Sequence, residues 1–173
     1  VKIDRDISGS LLDFNTLSYF APELAGNRLK LAVSGKMSGY VEDFTFTDVA
    51  VESESGGFKG RTSGRMTGLP EIEDTRLSAD LNDFTVTSTG LEDFISQWIK
   101  DEKKPDIDRY ARGTSFHING KGSGFMNSLK VNVDLTSLLG NVRADVRLDN
   151  LVRKTSRLGI SGKISSDDLD IGK

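Results

Sequence analysis

Four stretches of this chain alternate side chains at the two-residue period of a β-strand, and in each of them glycine falls on the same side as the large apolar residues. The clearest are Phe58-x-Gly60-x-Thr62-x-Gly64-x-Met66-x-Gly68 and Phe116-x-Ile118-x-Gly120-x-Gly122-x-Gly124. The others are Leu29-x-Leu31-x-Val33-x-Gly35-x-Met37-x-Gly39-x-Val41 and Leu158-x-Ile160-x-Gly162-x-Ile164. An ordinary core wants volume on that face, so the glycines need a reason. Two readings fit: the sheet bends there and leaves no room for a Cβ, or a foreign apolar chain lies against bare backbone. Both describe a curved, open β structure.

The remaining chain agrees with that class. With 173 residues it has the length of one domain or one slab of an elongated protein, and a closed fold of this size buries roughly 70% of its unfolded-chain surface. An apolar share of 36% with 18 glycines suits a β-rich domain with many turns, and a net charge of -3 offers no basic face for nucleic acid. Cysteine is absent, which excludes disulfides and thiol catalysis. No apolar run approaches the ~20 residues of a bilayer-spanning helix, and the start at Val1 reads as that of an excised or mature segment.

Along the chain, residues 1–12 read as a strand, and Phe14, Leu17, Phe20 and Leu24 recur at helical spacing with Asn15 as the candidate N-cap. From Arg28 strict alternation takes over. Its phase flips near Glu42 and Asp43, again before Val49, and again before Phe84, and each flip implies a turn or a bulge. Glu54-Ser55-Gly56-Gly57 and Gly140-Asn141 read as hairpin connections, with another at Asp149-Asn150. Thr89-Gly90-Leu91-Glu92 fits a capping box, and Leu91, Phe94, Ile95, Trp98 and Ile99 form one stripe, which predicts an amphipathic helix over 90–104. The expected total is nine or ten strands with one or two short helices, arranged as an antiparallel meander because the connections are too short for parallel crossovers.

The chemistry-bearing residues point away from catalysis. His117 is the only histidine and sits on the polar phase of its strand, so neither a histidine-based triad nor a multi-histidine metal site is available. Asp43 with Asp48, and Asp80 with Asp83, are the candidate carboxylate pairs for a hydrolase, but strand ends and turns favour aspartate for purely local reasons. Gly120-Lys121-Gly122-Ser123-Gly124 lacks the following GK[ST] and the helix of a phosphate loop. No metal, cofactor or catalytic residue is expected.

The runs Leu29-x-Leu31-x-Val33-Ser34-Gly35-x-Met37-x-Gly39-x-Val41-x-Asp43-Phe44, Phe58-x-Gly60-x-Thr62-x-Gly64-x-Met66-x-Gly68-Leu69-Pro70 and Leu77-x-Ala79-x-Leu81-x-Asp83-Phe84 resemble the repeats of the AsmA-like/TamB family of envelope proteins. The segment Leu17-Ser18-Tyr19-Phe20-Ala21-Pro22-Glu23-Leu24 is similar to segments between repeats of the TamB-like translocation and assembly module proteins of Bacteroidetes-type bacteria. The resemblance implies a single repeat segment, 1–173, of a longer inner-membrane-anchored protein, with β repeats at 26–89 and 113–171. It implies a periplasmic location and a bent, taco-like sheet whose trough carries phospholipid toward the outer membrane. Outer-membrane assembly proteins are further candidate partners, through an alternative role as a scaffold for β-barrel assembly. The helix over 90–104 is not a general feature of that repeat.

The fold expected from the whole reading is mostly β, a curved antiparallel sheet forming an open apolar groove. Phe58, Met66, Phe84, Val86, Phe116, Ile118, Val131, Val133, Val142, Val146 and Ile160 are the candidate lining residues for acyl chains. Gly35, Gly39, Gly60, Gly64, Gly68, Gly120, Gly122, Gly124 and Gly162 are the candidate curvature or space glycines.

Overall fold

The structure is a computed structural model, and it describes residues 2–18, 26, 28–98, 107–151 and 158–167. Nine strands form one antiparallel sheet in strict sequence order, a meander whose first and last strands do not meet. They are β1 (Lys2–Asp13), β2 (Lys30–Tyr40), β3 (Asp43–Ser53), β4 (Phe58–Thr67), β5 (Arg76–Thr87), β6 (Ser115–Phe125), β7 (Ser128–Ser137), β8 (Gly140–Asp149) and β9 (Gly159–Asp167). Short helices α1 (Phe14–Leu17), α2 (Ser88–Trp98) and α3 (Ile107–Ala111) lie at the same end of the sheet, after β1 and between β5 and β6. Among the described residues no helix is long and apolar enough to cross a membrane.

The expected phase flips are real. Val41 and Glu42 form the turn between β2 and β3. The flip before Val49 is a bulge at Asp48, and the flip before Phe84 is a bulge at Asp83, both with left-handed backbone at φ 50° and 51°. Strand β1 carries the same device at Gly9, φ 61°. A bulge leaves a ladder N–H without a partner, and a side chain on the next strand supplies one in two cases. The Asp48 N–H donates to Ser63 Oγ at 2.8 Å, and the Asp83 N–H to Asn119 Oδ1 at 2.9 Å. All five pairings from β1–β2 to β5–β6 therefore contain one register shift. The three pairings from β6 to β9 contain none.

Buried apolar residues gather where the bulges are. Phe44, Val49, Phe84, Val86, Phe116 and Leu129 come from β3, β5, β6 and the start of β7, and Ala111 from α3. Thr75, fully buried in the β4–β5 connection, donates its hydroxyl to the Glu71 carbonyl and accepts the Met126 N–H at its own carbonyl, tying two loops at the opposite end.

Three local expectations need correction. Helix α2 starts at Ser88 rather than Gly90, because Thr87 Oγ1, not Thr89, accepts the Gly90 N–H at 3.0 Å and caps the first turn. Helix α1 is capped by Asp13, whose Oδ1 accepts the Asn15 and Thr16 N–H groups, while Asn15 turns its own Oδ1 to the Gly26 N–H. The β7–β8 turn is Leu138-Leu139, and Gly140, at φ 126°, already pairs with Ser137. Residues 19–25, 99–106 and 168–173, including Phe20, Leu24, Ile99, Leu169 and Ile171, lie outside the described set.

Candidate apolar binding face

Register decides which side chains share a face, since directly paired residues point the same way. Phe58, Val86 and Phe116 pair in one row across β4, β5 and β6. Phe84, Ile118, Leu135 and Val142 form the next from β5 to β8. Val133 pairs with Ala144, and Val131 with Val146. Met66 pairs with Phe44 and Leu77, and Ile160 with Leu148. All eleven predicted lining residues thus stand on one apolar face. Sequence reading missed other members of it, Leu129, Leu135 and Leu148 among them, although their alternation phase already placed them there.

Cover on that face falls from the middle of the sheet toward β9. Phe84 is 5% exposed, Val86 3% and Phe116 8%. Val131, Val133, Val142 and Val146 are half-buried, and Ile160 and Ile164 on β9 reach 60% and 71%. The packed side is sealed by the protein's own aromatics. The Phe58 ring lies 5.0 Å from that of Phe84, and on its other side Phe94 of α2 stacks at 6.2 Å. The helix reaches this position because Gly57 and Gly90 meet backbone to backbone, where a Cβ on Gly57 would stand 2.7 Å from the Gly90 Cα.

The in-phase glycines are explained by close approach. At every predicted position except Gly122, a Cβ would lie under 3.0 Å from the protein's own atoms. The device repeats: the residue after each bulged aspartate covers a glycine of the preceding strand, Val49 over Gly35 and Phe84 over Gly60. Ring placement on a sheet glycine fills the missing side chain from across the ladder. Gly122 differs, with only Leu129 Cδ2 at 4.0 Å. The glycines of the bulged half therefore leave no spare width for a foreign chain.

The opposite face is polar and laced with cross-strand ion pairs. Arg65 Nε donates to Asp43 Oδ1 at 2.7 Å, Arg61 Nη1 to Asp48 Oδ2 at 2.6 Å, and Arg143 Nε to Asp134 Oδ1 at 2.7 Å, while Lys121 lies 3.4 Å from Asp80. The Arg65 hydrogen bond, reinforced by its charge, holds the Asp43 carboxyl below its ordinary range. Of the candidate carboxylates, Asp43, Asp48 and Asp80 thus each lie against a basic side chain, while Asp83 sits at a bulge and bonds Asn119 through its backbone N–H. His117 is exposed on this face, Nδ1 3.4 Å from Thr85 Oγ1. A concavity of about 380 Å³ follows the bulges here, lined by Ala32, Ser34, Ala50, Glu52, Lys59, Arg61 and Asp83 among others, and Gly60 is its only member from the predicted set. Among the described residues no cluster of His, Cys, Asp and Glu is arranged to hold a metal.

Comparison of the chain with protein-family models, with curated proteins and with solved structures found no match.

Proposed function

We propose that this chain is a groove module of a periplasmic, envelope-spanning protein of the AsmA-like/TamB kind, and that it shields phospholipid acyl chains on their way to the outer membrane. The observation that carries the reading is one apolar face running through a sheet that never closes, packed at β3–β6 and progressively bare toward β9. Acyl chains lie along the bare part, over Val131, Val133, Val142, Val146 and Ile160, and not in the packed part, where Phe84 and Phe94 fill the space. Each buried methylene contributes about 0.8 kcal/mol, so a tail segment of roughly a dozen gains about 10 kcal/mol before the cost of immobilisation. Such contact has no directional requirement, which suits a cargo that slides. Headgroups stay at the strand ends, near water. The role needs no catalytic residue and no cofactor.

The test is native mass spectrometry of the chain expressed in a Gram-negative envelope and purified without detergent. The expected result is a protein peak carrying phospholipid mass, lost when Val133 and Val146 are replaced together by Asp. Lipid-free protein, or lipid retained unchanged by the double variant, would overturn the proposal.

A further inference from the structure

Charge on the polar face is matched across the sheet with one exception. Where two charged residues meet in register, an acid faces a base, as in Asp6 with Lys36, Glu52 with Lys59, Asp80 with Lys121 and Asp134 with Arg143. Among the described register pairs, only Lys130 of β7 and Arg147 of β8 set two bases opposite each other, an arrangement that costs stability. Both side chains are exposed, and neither makes an ion pair among the described residues. Of the acids two positions away along β8, Asp149 accepts the Ser128 hydroxyl at 2.6 Å, and Asp145 stands in register with Asn132 and Lys163. The sequence that follows offers no further acid, since residues 150–166 hold no aspartate or glutamate and add Arg153, Lys154, Arg157 and Lys163. An aromatic ring stands one row away on the same face. Phe125 falls on the polar phase of β6, is 45% exposed, and pairs with Arg76, whose guanidinium lies 4.8 Å from the ring centroid.

We propose that Lys130 and Arg147 form an anion site, and that its ligand is the phosphate of an anionic phospholipid headgroup at a bilayer surface. Directly opposed residues stand about 5 Å apart at Cβ, close enough for one oxyanion to accept hydrogen bonds from both side chains. An anion there turns the repulsion of the empty pair into attraction. In register the row reads Ser123, Lys130, Arg147, Ser161 across β6 to β9, so a hydroxyl flanks each cation. A phosphate has oxygens enough to take the Arg147 fork, the Lys130 ammonium and a serine together, which a carboxylate does not. The exposed Phe125 ring, with a guanidinium over it, suits the boundary between headgroups and tails. A leaflet favours such a site over a dissolved anion because two solvated cations hold a single phosphate weakly, whereas a charged surface presents many. Nucleic acid is disfavoured by the net charge of -3, which leaves this basic patch local. The site lies on the face opposite the apolar one, so it rests on charge placement and not on the identity of any cargo.

The experiment is co-sedimentation of the full 173-residue chain with phosphatidylcholine vesicles, with and without phosphatidylglycerol. Binding is expected only where phosphatidylglycerol is present, and it weakens as salt is added. Lys130→Gln and Arg147→Gln are each expected to lower the partition coefficient about fivefold. Lys121→Gln, whose ammonium already lies 3.4 Å from Asp80, serves as the control and changes it less. A second measurement separates binding from folding: either Gln variant relieves the opposed charges, so its urea midpoint rises while its vesicle binding falls. Failure to bind phosphatidylglycerol vesicles, equal binding to both kinds of vesicle, or a loss in Lys121→Gln as large as in Lys130→Gln would each overturn the proposal. So would a urea midpoint lowered by both Gln variants, which would show the two bases held by the fold itself. Saturable binding of inorganic pyrophosphate or of a single-stranded oligonucleotide without vesicle binding would show a different anion in the site, and would also overturn it.

Discussion

Strands β1–β5 and β6–β9 belong to one sheet and share one apolar face, yet they solve the problem of that face in opposite ways. In the first half, odd strands bulge at Gly9, Asp48 and Asp83, and the bulges at Asp48 and Asp83 fold a bulky residue over a glycine of the preceding strand. In the second, register is uninterrupted, side chains alternate cleanly, and apart from Phe116 and Leu129 the apolar residues stay half-covered or exposed. The difference teaches that irregularity is what packs a single-layer sheet against itself. A bulge bends the strand enough for its own side chains to meet, while a regular ladder leaves them standing side by side toward solvent or a partner.

The packed half is most dependent on one ring. Phe84→Ala removes the group that covers Gly60 and abuts Phe58, so a loss of about 3–5 kcal/mol is expected in urea denaturation. Val133→Ala in the open half is expected to lose only about 1 kcal/mol, because the side chain is half-exposed already. Equal losses would remove the distinction. Glycine substitutions sharpen it at a smaller scale. Gly60→Ala drives a Cβ into the Phe84 ring and is expected to cost about 1–3 kcal/mol. Gly122→Ala meets only Leu129 Cδ2 at 4.0 Å and is expected to gain about 0.5 kcal/mol, through a less flexible unfolded chain. Asn119→Ala leaves the bulge N–H of Asp83 without its acceptor, with an expected loss of about 1 kcal/mol and faster hydrogen exchange at that amide.

The smallest effect is electrostatic. Arg65 lowers the carboxyl of Asp43, so this pair adds stability above the ordinary carboxylate range, and that contribution disappears as pH falls through the lowered folded value. Arg65→Gln is therefore expected to fall slightly below the parent at neutral pH and to converge with it in acid. Both partners are exposed, so added salt shrinks the gap.

Much of this was legible before any coordinates. A period of two identifies strands because it reflects the backbone itself, and the breaks before Val49 and Phe84 identify bulges because an extra residue must invert the phase. The side of the sheet on which Val131, Val146 and Ile160 stand followed from the same alternation. What alternation does not carry is how far apart two strands' side chains end up. Gly60 and Gly122 sit in identical patterns, yet one lies under an aromatic ring and the other in near-open space. The cause is a bulge on a strand more than twenty residues away, at Asp83, which one-dimensional reading assigns to its own strand alone. The caps of α1 and α2 were displaced for a related reason: Asp13, Asn15, Thr87 and Thr89 are all competent acceptors, and tertiary position selects among them.

The open half is the centre of the account, and site-specific photocrosslinking in the envelope addresses it most directly. A photoreactive phenylalanine at Val133 is expected to capture phospholipid, while the same probe at Val49, 6% exposed within the bulged half, captures none. Capture at neither position, or equal capture at both, would contradict an apolar face that is sealed on one side and available to acyl chains on the other.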